Sequence, residues 1–342
     1  MRNPLYLIGL SVVLFSCASQ KPVQKNAIKP KPATPTVNQP PKTPKTPQQD
    51  IKHEGQYDFY KVNIADATKN DNTISYGSIV SANPAGYKVV KTYFPAIAQN
   101  FRQKYIILHY TALDDDKSVT VLTQQAVSAH YLVNNLGDKE IYQLVDENKR
   151  AYHAGISSWR NDKNFNDNSI GIEIVNSGYT TDALGNKIFP EFDDAQIKKV
   201  AALVQDLAQR YMISPTNILG HSDIAPTRKQ DPGPKFPWKK LYDQYQIGMW
   251  YDNDTQQNLM QTEVLNDPYF GTNLNTSPFI FKYQTALKTF GYGIEPSGIV
   301  DDATKKTIEA FQYHFRPEKY DGIMDAESWA ILQALNQKYP QK

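Results

Sequence analysis

The chain has 342 residues, 40% of them hydrophobic and 21% charged, enough for about two globular domains of ~150 residues with cores of their own. A formal net charge of +2 gives no argument for a nucleic-acid partner, and a single cysteine excludes an intramolecular disulfide. Aromatic residues make up 12%, carried largely by 22 tyrosines, which suits aromatic-lined surfaces of the kind that bind glycans.

The N-terminus places Arg2 before an apolar run from Leu5 to Phe15, then Cys17. That run is too short for a mature membrane helix, which needs ~20 residues, and reads as a secretory signal over residues 1–16. Leu14-Phe15-Ser16-Cys17 resembles a bacterial lipobox. The expectation is a mature protein that starts at a lipidated Cys17, outside the cytoplasm and anchored to a membrane by its acyl chains. Ala18, where enteric sorting would read Asp as an inner-membrane signal, points to an outer-membrane lipoprotein facing the periplasm.

From Gln20 to Asp50 there are eight prolines, six lysines and one acidic residue, with almost no apolar periodicity. Residues 17–55 therefore read as a lipidated Cys and an extended Pro/Lys-rich tether. At ~3.1 Å per residue the tether would reach roughly 100 Å. Residues 57–92 carry no assignable role.

Lys104–Thr111 reads as a buried strand, Ser118–Gln125 as a short helix, and Val127–Val133, Ile141–Val145 and Ser169–Val175 as further strands. Asp193 or Asp194 caps a helix whose apolar positions are Ile197, Val200, Val204, Leu207 and Tyr211. Ile218-Leu219-Gly220 leads into HSDIAPTRKQDPGP, in which Gly and Pro disfavour helix and central strand. Strands interleaved with helices predict an α/β domain with a central mixed β-sheet flanked by helices over residues 56–255.

Asn253–Ser277 reads as a polar, loop-like boundary. Beyond it SGIVDDATKKTIEAF repeats as DGIMDAESWAILQAL, pairing Gly298 with Gly322 and Asp301 with Asp325. Each copy is a Gly turn, an Asp cap and an amphipathic helix. With the helix from Phe279 to Phe290, this predicts a small three-helix domain over residues 270–342.

Six histidines are available: His53, His109, His130, His153, His221 and His314. A catalytic metal site needs about three N, O or S ligands and one open position. His109, at a strand end, reads either as a ligand or as a hydrogen-bonded structural residue. His221 and Asp231 lie in the loop held by Pro226, Pro232 and Pro234, which would fix both side chains with little freedom left to lose. Glu173, in the apolar strand IGIEIV, is either a general base or a carboxylate on a solvated face. Lys229 is either an oxyanion stabiliser or a surface lysine. His153 lines a cleft or is structural, and His130 reads as a structural residue near the site.

The segments IILHYT, VSAHYLV, AYHAGISSWR, NSIGIEIVN and GHSDIAPTRKQDPGPKFPW occur in the order found in the zinc-dependent N-acetylmuramoyl-L-alanine amidases of the Amidase_2 family, which the chain resembles from about Tyr93 onward. The resemblance implies one Zn2+ per chain, held by His109, His221 and Asp231. Glu173 would be the catalytic acid/base, and Lys229 would stabilise the tetrahedral intermediate. Tyr152, His153, Trp159 and Arg160 would line the substrate groove. It further implies the fold shared with phage lysozyme-type amidases and peptidoglycan recognition proteins, with a C-terminal peptidoglycan-binding domain. The implied partners are peptidoglycan or its muropeptides, with no nucleic acid, and the expected state is a monomer. A related but non-catalytic binding module would show a broken ligand set, and this set is complete.

Overall fold

The computed structural model describes residues 84–89, 100–266 and 268–341. The signal segment, Cys17, the Pro/Lys-rich tether and His53 lie outside the described residues.

A five-stranded sheet has the order β3-β2-β6-β1-β9. Its strands are β1 (Tyr105–Tyr110), β2 (Tyr131–Val133), β3 (Tyr142–Gln143), β6 (Ser169–Ile174) and β9 (Ile218–Gly220). β2, β6, β1 and β9 run parallel, and β3 joins the edge antiparallel, so the sheet is mixed as the alternation of elements predicts. In β1, Tyr105 to His109 are buried without a break, as expected where a parallel strand is covered on both faces. β2 and β3 are shorter than their apolar runs suggest, three and two residues respectively.

Helix α1 (Asp115–Gln124) starts at Asp114, whose carboxylate accepts the Lys117 amide. Helix α2 (Asp194–Tyr211) starts at Asp193, whose carboxylate accepts the amides of Ala195 and Gln196. The apolar stripe of α2, from Ile197 to Tyr211, is buried. Two small hairpins complete this region, β4 (Ser158–Trp159) with β5 (Asp162–Lys163), and β7 (Thr180–Thr181) with β8 (Lys187–Ile188).

The loop reading of His221–Pro234 needs correction at its start. His221–Ile224 forms a single helical turn, α3, directly after β9. The first proline lies beyond that turn, at Pro226, and Asp223 closes it by accepting the Gly220 amide at 2.8 Å. Helix α4 (Trp238–Tyr245) follows the Pro-rich loop.

The segment Asn253–Ser277 is also helical, contrary to the loop expected from its polarity. It holds α5 (Asn253–Leu259), a π-helical turn (Met260–Leu265) and α6 (Phe270–Asn273). Among its described residues it buries only Leu259, Val264 and Phe270, too few and too widely spaced to register as a periodic stripe. Leu259 packs with Ala330 and Ala334 of the last helix.

The C-terminal helices are α7 (Ser277–Phe290), α8 (Asp302–Phe315) and α9 (Ala326–Lys338). Asp301 and Asp325 cap the last two by accepting the amides of Thr304 and Ser328. The repeat is carried by two buried glutamines. Gln284 accepts the Gly298 amide and Gln312 accepts the Gly322 amide, each at 2.8 Å. Both glycines take left-handed backbone, at φ 73° and 69°, and an added Cβ would come within 3.0 Å of the Ser277 and 2.9 Å of the Lys305 carbonyl oxygens.

One hydrophobic cluster runs unbroken from the sheet into these helices, joining Ile106, Ile172 and Val204 to Phe290, Phe311 and Trp329. Trp159, fully buried on the β4–β5 hairpin, is its link. It packs edge-on against Phe290 and Tyr292, and an added Cβ on Gly291 would lie 2.6 Å from its ring. Trp159→Ala is expected to lower stability by about 3–5 kcal/mol through the cavity it leaves. Chemical denaturation of the variant checks this, and a loss below about 1 kcal/mol would mean the two regions do not depend on this ring.

Candidate metal centre

The parallel register decides which side chains meet. His109 of β1 lies opposite Glu173 of β6, so both project from the same face at the carboxyl ends of their strands. On the other side of β1, Leu108 pairs with Gly220, and His221 follows at once. Open α/β sheets place ligands at this edge. The Pro-rich loop returns Asp231 to the same point. The Ser222 amide donates to the Asp231 carbonyl at 2.8 Å, and an added Cβ on Gly220 would meet Pro232 at 2.7 Å.

Three atoms converge there. His109 Nδ1 and His221 Nδ1 are 2.9 Å apart, and each lies 2.9 Å from Asp231 Oδ2. His109, His221 and Asp231 are all buried and form a group able to hold a metal ion.

The hydrogen bonds behind the triangle determine where the protons sit. The Ala154 carbonyl lies 3.0 Å from His221 Nε2 and can only accept, so Nε2 carries a proton and Nδ1 is the ring nitrogen turned inward. Behind His109 stands a longer chain. The Ser169 hydroxyl donates to the Phe165 carbonyl, leaving its oxygen to accept from His153 Nε2 at 3.2 Å. His153 Nδ1 must then accept from His109 Nε2, 3.0 Å away. A neutral His109 is therefore left with a bare Nδ1 facing the triangle. Burial, with His221 beside it, pushes the His109 pKa down to about 4, and burial and the neighbouring His109 push His153 well below the usual histidine range, so both rings are neutral. For Asp231 burial opposes ionisation, but His221 and His109 outweigh it and hold its carboxyl well below the usual range.

Two imidazole nitrogens and a carboxylate oxygen thus face one another 2.9 Å apart. The donor set of two imidazole nitrogens and one carboxylate oxygen suits zinc.

Glu173 is half-buried, with Oε2 out of solvent and without a hydrogen-bond partner among the described residues. Burial first, then the Asp231 carboxylate, raise its proton affinity well above that of an ordinary glutamate, while Lys229 opposes the shift. A pocket of about 220 Å³ brings together His109, His153, Glu173, His221, Lys229 and Asp231, with Tyr152 exposed at its rim. A larger cleft of about 570 Å³, between Trp238 and Pro317, contains none of the triangle residues.

Two residues assigned to the substrate groove are placed elsewhere. Trp159 is fully buried in the core. Arg160, at the turn of the same hairpin with φ 53°, donates to the carbonyls of Phe290 and Tyr339. The hairpin turns toward the C-terminal helices, which takes both side chains away from the pocket. His153 lines the pocket but is bonded to His109 and Ser169, so it supports the centre from behind. His130, also buried, accepts the Gly171 amide at Nδ1 and lies 3.0 Å from the Lys149 carbonyl at Nε2.

Sequence reasoning missed Gly171, Ser169 and Arg228. An added Cβ on Gly171 would sit 2.4 Å from the His153 ring, so the Gly in IGIEI is the space that ring occupies. A lone Gly inside an apolar strand was the available signal. Arg228 donates to the carbonyls of Ala154 and Ile156 at 2.6 and 2.9 Å and pins the loop that receives the His221 proton.

The site is a cleft at the carboxyl edge of an α/β sheet, with a buried His-His-Asp group able to hold a metal ion. Residues 99–234 match the N-acetylmuramoyl-L-alanine amidase family, and residues 276–332 match a peptidoglycan binding domain family. The chain is 41% identical over 245 residues to the N-acetylmuramoyl-L-alanine amidase AmiD of Escherichia coli strain K12, spanning 70% of this chain and 84% of AmiD. It is 42% identical over 117 residues to the 1,6-anhydro-N-acetylmuramyl-L-alanine amidase AmpD of Enterobacter cloacae, spanning 34% of this chain and 56% of that one. The solved complex of Escherichia coli AmiD with anhydro-N-acetylmuramic acid-L-Ala-D-gamma-Glu-L-Lys superposes with a TM-score of 0.67 at 40% identity, covering 76% of this chain and 98% of the other. This chain belongs to the N-acetylmuramoyl-L-alanine amidase family and is a hydrolase, as its motif order implied.

Ser169→Ala removes the acceptor that orients His153 and is expected to weaken metal binding about 10- to 100-fold. Competition against a chromophoric chelator measures this, and unchanged affinity would contradict the proton assignment.

Proposed function

We propose that this protein is a zinc-dependent N-acetylmuramoyl-L-alanine amidase that cleaves the amide between N-acetylmuramic acid and L-alanine in peptidoglycan or its muropeptide fragments. The observation that carries this reading is the triangle of His109, His221 and Asp231 with Glu173 beside it by strand register. The activities named for AmiD and AmpD support the choice of bond.

His109, His221 and Asp231 would hold the zinc, which supplies Lewis-acid polarisation of the scissile carbonyl and acidifies the attacking water. Glu173 takes one proton from that water as its oxygen bonds to the lactoyl carbonyl carbon. The raised proton affinity of Glu173 suits it to accept that proton. Lys229 balances the negative charge that develops on the carbonyl oxygen. The C–N bond then breaks, and Glu173 returns its proton to the departing nitrogen of L-alanine. The second proton of the water also ends on that nitrogen, so the products are a lactoyl carboxylate and a peptide ammonium. Tyr152 at the rim is the remaining candidate for substrate contact.

The full chain incubated with a purified N-acetylmuramoyl-peptide tests this reading by product mass. Free peptide should appear with zinc, vanish on chelation and return on zinc add-back. Glu173→Gln should slow release about 10²- to 10⁴-fold, and Lys229→Ala about 10²- to 10³-fold. Absence of peptide release under every metal condition would overturn the reading.

Anchoring through acyl chains on Cys17, with the protein at the outer membrane facing the periplasm, completes the proposal. The lipobox-like Leu14–Cys17 sequence supports it. Radiolabelled palmitate should enter the full chain and not Cys17→Ala, and label in both would contradict it.

A further inference from the structure

The turn α3 that carries His221 is gripped from both sides. Side chains two apart on a helix point roughly 200° away from each other, so while His221 faces the pocket, Asp223 faces the opposite way. There the Asp223 carboxylate, 1% exposed, accepts the Gly220 amide from its own turn at 2.8 Å. Its other two donors come from the C-terminal helical region. Tyr292 donates its hydroxyl to Oδ1 at 2.8 Å, and His314 Nδ1 lies 2.8 Å from Oδ2. Both donors are fixed. Tyr292 is 1% exposed and packs on Trp159. The His314 ring stacks between Trp238 at 3.9 Å and Phe315 at 4.0 Å. A buried carboxylate cannot recruit water to replace a lost donor, so the turn must follow wherever these two donors stand. The same turn is tied to the third ligand through the Ser222–Asp231 backbone bond.

We propose that His314 and Tyr292 are positioning residues for the metal centre, fixing through Asp223 the helical turn that presents His221 and braces Asp231. The inference rests on the zinc-site reading above and gives the C-terminal helices a role in the metal centre itself, separate from any grip on murein.

The test uses the full chain stripped of metal, with Tyr292→Phe, His314→Phe and His314→Asn. His314→Phe keeps the ring stack and deletes the donor, while His314→Asn restores an N–H at the Nδ1 position. Each protein is titrated with Zn2+ in competition with a chromophoric chelator, loaded with Co2+ for its visible absorption bands, and melted in the metal-free state. The expected result is a zinc dissociation constant raised about 10- to 100-fold in His314→Phe, a smaller rise in Tyr292→Phe, altered Co2+ bands in both, and recovery toward the parent in His314→Asn. Variants that melt lower in the metal-free state yet keep the parent's zinc affinity and Co2+ bands would show a merely structural role and overturn the proposal. If His314→Phe does not fold, Tyr292→Phe, which loses one oxygen, decides between these outcomes. A parent chain that takes up neither ion would instead sink the zinc reading, and this inference with it.

Discussion

The constraint on which the site depends is the meeting of two imidazole nitrogens and a carboxylate oxygen 2.9 Å apart. The fold has to hold these three buried side chains in place. The parallel register of β1 with β6 and β9 supplies the first anchor, since it sets His109 beside Glu173 and Gly220 beside Leu108. The acceptors behind the two rings supply the second. The Ala154 carbonyl fixes His221, and the run from His153 through Ser169 to the Phe165 carbonyl fixes His109. Neither ring can turn over without leaving a buried polar atom unmatched.

The rest of the molecule can be understood as support for that geometry. The space beside Gly171 admits the His153 ring, and Arg228 holds the loop that carries Ala154. The Trp159 hairpin joins the sheet to the C-terminal helices, which reach back to the His221 turn through Tyr292 and His314. A single core cluster spans both regions, so the helices are part of the frame around the centre.

Much of this was legible in the sequence. The buried strands β1 and β6, the capped helix α2 and the Asp301 and Asp325 caps follow from periodicity and short-range capping, which act within a few residues of chain. The identities of the convergent residues were legible too, because the motif order names them. What stayed hidden is what depends on long-range contact. Trp159 reads as an aromatic beside the site, but the fold turns its hairpin away and buries it under Gly291. Asn253–Leu265 has too few apolar residues for a visible stripe, and becomes helical because Leu259 and Val264 find the last helix and the core. The partnership of Asp223 with His314, 91 residues apart, leaves no local trace.

The central claim is that both imidazoles reach the metal through Nδ1 with Nε2 protonated. Long-range proton–nitrogen correlation NMR of the zinc-loaded, ¹⁵N-histidine-labelled chain tests it directly. The account predicts a protonated Nε2 and a metal-shifted Nδ1 for His109 and His221, and a protonated Nε2 with a free Nδ1 for His153. Metal-shifted Nε2 signals from His109 or His221, or histidine signals that do not change on adding zinc, would contradict it.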